Sequence, residues 1–125
     1  MGRIDFQHDK MNDVVIATPH WKIETEADVI AWYEEYAAYF TRLGRRVDFV
    51  VVLDDFSIEP AIGSLWGEYR AKIHKDFTRL SYRVHASKRV KLFVDTSGVR
   101  YSAGRDEAAS IEDAIAAILE ARKAP

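Results

Sequence analysis

Apolar residues recur along this chain with two different periods, and the changes of period divide it into strands and helices. Arg3-Ile4-Asp5-Phe6-Gln7 alternates polar and apolar residues, as a half-buried strand does. Turn formers from Asp9 to Asp13 follow, and then the β-branched run Val14-Val15-Ile16-Ala17, ended by Pro19. Such close spacing predicts a hairpin. Beyond it the step lengthens to three and four: Val29, Trp32, Tyr33, Tyr36, Ala37, Phe40 and Leu43 form one broad face of a helix. Thr25 is placed to cap its start, with Glu26 and Asp28 in the first turn, and Gly44 is placed to stop it.

Residues 47–53 are almost continuously apolar, the mark of a strand covered on both faces and hence of a layered α/β fold. Asp54 and Asp55 end that run. Pro60 opens a second helix through Ile62, Leu65, Trp66, Tyr69, Ile73 and Phe77. Residues 80–85 and 90–94 read as two further strands, while 96–104 fit either a turn and a strand or a short helix. Ser110 and Asp113 begin a C-terminal helix carried by Ile111, Ala114, Ile115, Ile118 and Leu119. The predicted order is β-β-α-β-α-β-β-α: a single α/β domain over residues 1–125, a mixed sheet with helices packed on it. No repeat, low-complexity stretch or linker divides it.

This layout resembles the SpoIIAA-like group, the STAS and CRAL-TRIO-like domains. Two stretches carry the likeness. One is the central strand running through a short loop into a helix, Val51-Val52-Leu53-Asp54-Asp55-Phe56-Ser57-Ile58-Glu59-Pro60-Ala61-Ile62-Gly63. The other is the closing Ser110-Ile111-Glu112-Asp113-Ala114-Ile115 after an edge strand near Glu107-Ala108-Ala109. The resemblance implies a binding or regulatory module rather than an enzyme. STAS antagonists carry an Asp-Ser-Ser-Gly-like phosphoacceptor at the loop–helix junction. Here that position reads Glu59-Pro60-Ala61-Ile62, with no hydroxyl.

Composition narrows the class. Of 125 residues, 48% are hydrophobic and 30% charged, which excludes disorder as a description of the chain. Zero cysteines exclude disulfides, thiolate nucleophiles and cysteine-held metals. No run approaches the roughly 20 apolar residues of a membrane span. Met1-Gly2-Arg3 leads directly into the first strand, so a cytoplasmic location is expected.

A net charge of −2 hides a bipolar distribution. Arg70, Lys72, Lys75, Arg79, Arg83, Lys88, Arg89 and Lys91 are opposed only by Asp76. That segment therefore carries +7, and the rest of the chain −9. These eight residues are the candidate contact surface for a protein partner or an anionic ligand. The ordinary alternative is a solvated face. Nucleic acid is disfavoured, since no recognition motif accompanies a pI near 6.1.

A second candidate is a pocket near Asp54, Asp55 and Trp66, at the carboxyl end of the central strand where α/β sheets take ligands. It belongs to the rival reading, an apolar-ligand carrier or a small enzyme, with a ferredoxin-like dimeric barrel as a variant. His8, His20, His74 and His85 lie at no metal-ligating spacing, so no metal, cofactor or catalytic set is assigned. The aromatic stripe Trp32, Tyr33, Tyr36, Tyr39 and Phe40 serves either the core or a homodimer surface.

Overall fold

The computed structural model describes residues 3–84 and 107–123. Among the described residues the main sheet has five strands, β1 (Ile4–Asp9), β2 (Val14–Pro19), β4 (Val47–Val52), β6 (Thr78–Val84) and β7 (Glu107–Ala108), side by side in that order. The first pair is the expected antiparallel hairpin, in register from Ile4 opposite Pro19 to Asp9 opposite Val14. The other three pairings are parallel, so the sheet is mixed. β2 bonds directly to β4, and β4 to β6. The split β-α-β unit of a ferredoxin-like sheet instead leaves a strand's width between its parallel partners.

Each parallel pair needs a crossover, and a helix supplies it. α1 (Glu26–Leu43) links β2 to β4, and α2 (Gly63–Phe77), entered through a 3-10 turn at Pro60–Ile62, links β4 to β6. The ends of α1 follow from its sequence. Thr25 Oγ1 accepts from the Asp28 N–H while the Asp28 carboxylate accepts from the Thr25 N–H, a complete capping box. Gly44 closes the helix in the left-handed region at φ 72°, where a side chain would be strained. α3 (Ile111–Arg122) starts at Ser110, whose hydroxyl accepts from the Asp113 N–H.

β4 is the middle strand and is covered on both sides. Val47, Phe49 and Leu53 pack with Trp32, Tyr36, Phe40, Trp66 and Ile73 beneath α1 and α2. Val50 and Val52 pack with Val14, Ile16, Val84, Ala114 and Ile118 beneath α3. The aromatic stripe of α1 is therefore core: Trp32, Tyr36 and Phe40 are buried, with Tyr33 and Tyr39 packed at the margin.

Asp48 interrupts the apolar run for a local reason. Val47 pairs with Thr78 but Phe49 with Ser81, so β6 carries one extra residue there. The fully buried Asp48 carboxylate takes up the displaced Leu80 N–H at 3.3 Å. It also accepts from Arg79 at 3.1 Å and from Arg122 Nε, on α3, at 2.7 Å. Arg122 donates further to the carbonyls of Asn12 and Asp13 at 2.6 and 2.8 Å, tying the last helix to the first turn.

A second, two-stranded sheet was not expected. β3 (Trp21–Ile23) and β5 (Phe56–Ile58) pair in parallel, Trp21 opposite Phe56 and Ile23 opposite Ile58. The expected strand at 90–94 and the ambiguous stretch 96–104 lie outside the described residues.

Candidate functional site

α2 presents Trp66, Arg70, Ile73 and His74 at steps of four, three and one, which places all four on its inner face. Opposite them, β6 turns Ser81 and Arg83 to the same side of the sheet, two residues apart. Between these elements lies a cavity of about 30 Å³, closed by Trp32 and Tyr36 of α1 and floored by Phe49, Val51 and Leu53. Pro19 and Leu53 place one side of it at the carboxyl ends of β2 and β4, the end where ligands bind in parallel sheets.

The polar character of the cavity is one-sided. Arg70 is 5% exposed and Arg83 2%. The Trp66 ring lies 5.7 Å from the Arg70 guanidinium, 5.6 Å from Trp32 and 5.8 Å from Phe56. Its buried indole N–H has no acceptor among the described residues, which costs about 1–3 kcal/mol while it stays so. Burial, reinforced by the charges of Arg70 and Arg83, pushes the His74 imidazole down to about 3, so it is neutral at physiological pH. Its Nδ1 lies 3.2 Å from the Thr78 hydroxyl. Among the described residues lining this cavity there is no carboxylate.

Asp54 and Asp55 line a different feature. They border an open groove of about 370 Å³ with His20, Trp21, Lys22, Phe56 and Ser57. Trp66 belongs to the interior cavity, and only Phe56 borders both. The pocket expected around Asp54, Asp55 and Trp66 is thus two sites, separated because β5 turns Phe56 inward between them. In the groove His20 bridges two carboxylates, Nδ1 to Asp55 at 2.8 Å and Nε2 to Asp5 at 2.9 Å. Among the described residues no group of three histidines or carboxylates is placed to hold a metal.

The Asp55 and Asp5 hydrogen bonds raise the His20 pKa above its ordinary 6.5. The sign follows directly. The raised folded-state pKa makes the bridge's contribution complete below about 6.5, and it fades as pH rises through the higher folded value. An NMR titration of the His20 ring protons is expected to give a midpoint above 6.5, with Asp55→Asn lowering it more than Asp5→Asn. A wild-type midpoint at or below 6.5 would show that the bridge does not form.

Among the described basic residues, two leave the expected surface for the interior. Arg70 and Arg83 are buried in the cavity wall, because their positions in α2 and β6 face the sheet–helix interface. Lys72 is exposed, its ammonium 5.0 Å from the Tyr69 ring and 6.0 Å from Tyr33. Lys75 is exposed near the end of α2, where its carbonyl accepts from Arg46. Arg79 is held by Asp48. Lys88, Arg89 and Lys91 lie outside the described residues. Among the described residues no helix is long and apolar enough to cross a membrane.

Position alone separates these arginines. A step of four from Trp66 to Arg70 and three on to Ile73 marks Arg70 as inward, a signal masked by the usual exposure of charged residues. No family model and no curated protein matches this sequence.

Proposed function

We propose that this protein is a non-enzymatic binding module that receives a small molecule in the cavity beneath α1 and α2, on a frame similar to the SpoIIAA-like domains. The observation that carries the reading is the convergence of polar side chains from two elements, α2 and β6, on an otherwise aromatic interior at the carboxyl ends of parallel strands. Solvated lysines and arginines have no reason to enter such a place. Burying a guanidinium is costly unless it is engaged there. A binder is favoured over an enzyme because His74, held at about 3, is too weak a base for proton transfer at neutral pH and has no carboxylate beside it in the described cavity wall to strengthen or orient it. The SpoIIAA-like frame is supported by the strand–helix–strand passage through β4, α2 and β6 and by α3 covering the opposite face. A serine switch at residues 59–62 forms no part of the proposal.

The cavity is small. About 30 Å³ holds a few heavy atoms, since one water needs roughly 10–15 Å³ on this measure. A larger ligand therefore enters head first or parts α1 from α2. A screen of fragments of about two to ten heavy atoms, read by the three tryptophan indole N–H signals, is expected to yield ligands that move Trp66 and Trp32. Hits that all leave Trp66 unmoved, or no hits, would remove the reading.

A further inference from the structure

The geometry points to a ligand class for this cavity: a planar oxyanion of carboxylate size, free or as the head group of a larger acid. This inference rests on the proposed binding role and adds the chemistry of what is bound. The polar groups around the space are dominated by donors. Arg70 and Arg83 supply guanidinium N–H groups, and Trp66 supplies a buried indole N–H with no acceptor among the described residues. The Ser81 hydroxyl can donate as well. A ligand made of donors would meet donors. One made of acceptors completes the set.

Charge sharpens the choice. Both arginines are more than nine-tenths buried, and among the described residues no carboxylate shares the lining with them. They already take part in other interactions. Even so, a guanidinium has five N–H donors, more than a bidentate carboxylate uses, and its flat fork matches two coplanar oxygens. His74 adds no positive charge at neutral pH: burial holds its imidazole neutral, and the two neighbouring guanidinium groups reinforce this. The aromatic walls favour a head group with a small apolar body over phosphate, which is tetrahedral and more strongly hydrated. Size agrees: a cavity of about 30 Å³ suits a carboxylate and is well below the roughly 150 Å³ that accepts benzene.

The test uses sodium acetate and sodium formate against acetamide, the neutral isostere of acetate, with sodium chloride holding ionic strength constant. Indole N–H and histidine ring signals of the intact protein are followed at neutral pH. Acetate and formate are expected to move the Trp66 and His74 signals along a saturating curve, leaving Trp21 in place, with acetamide at least tenfold weaker. Arg70→Lys keeps the charge but loses the fork, and is expected to weaken acetate at least tenfold. If Arg70→Lys fails to fold, the acetate–acetamide comparison on the unaltered protein still decides. Equal responses to acetate and acetamide, or a neutral fragment moving Trp66 where acetate does not, overturn the oxyanion class while the cavity remains a binding site. If Trp66 responds to neither anion nor any neutral fragment, the binding role falls with it.

Discussion

Phe40→Ala is expected to lower folding stability by about 3–5 kcal/mol, the usual cost of removing a buried phenyl ring. Phe40 is 1% exposed and sits where α1, β1, β4 and α2 meet. Its ring centroid lies 5.5 Å from Phe49, 5.8 Å from Phe77, 6.0 Å from both Tyr36 and Tyr39, and 6.5 Å from Phe6. Those rings hang from four different elements, so no single one can collapse into the space without moving its own backbone. Urea unfolding measures the loss. Met11→Ala, at a side chain 92% exposed, serves as the control and should change stability by no more than about 0.5 kcal/mol. A Phe40→Ala cost under about 1.5 kcal/mol would mean that the aromatic cluster is not packed as described.

Arg122→Ala is expected to cost about 3 kcal/mol, the lower end for breaking a buried ion pair. The low end applies because Arg79 stays beside the Asp48 carboxylate. The substitution also removes the donors to the Asn12 and Asp13 carbonyls, which lie at the surface and can turn to water. Most of the cost is thus a buried charge left with one cation in place of two. A double-mutant cycle isolates that part. Asp48→Asn combined with Arg122→Ala should be less destabilising than the sum of the two single changes, by about 1–3 kcal/mol. Additive effects would show that the pair contributes nothing beyond its separate members.

The layered α/β class was legible because its signals are long. Residues 47–53 hold an apolar run that only a doubly covered strand can bury, and β4 is that strand, with helices on both faces. α1 was equally plain, with its apolar steps and both caps written in adjacent residues. The β3–β5 pair was not. Trp21-Lys22-Ile23 and Phe56-Ser57-Ile58 alternate correctly, but three residues are too few to stand out from loop sequence, and their pairing joins positions 35 apart.

The site was half legible for a different reason. Local sequence gives a charged residue a strong expectation of exposure, and for Lys72 and Lys75 that holds. Arg70 and Arg83 depart from it because each occupies an inward position of its element, which becomes visible only when helix period and strand alternation are tracked through the charged residues too. Asp48 posed the same problem, and its cause, an extra residue in a neighbouring strand, cannot be seen within β4 at all.

The clamp at Arg122 bears on how the molecule comes apart. α3 buries only Ala114 and Ile118 fully, a narrow footing for a twelve-residue helix, and much of its attachment is ionic and at the far end. Hydrogen exchange should therefore find the amides of α3 opening before those of β2 and β4. Such an opening lays bare Val14, Ile16, Val50 and Val52, a β-branched strip across two neighbouring strands, without unravelling either. Brief detachment of one helix would then be the route by which intact molecules stick together in storage.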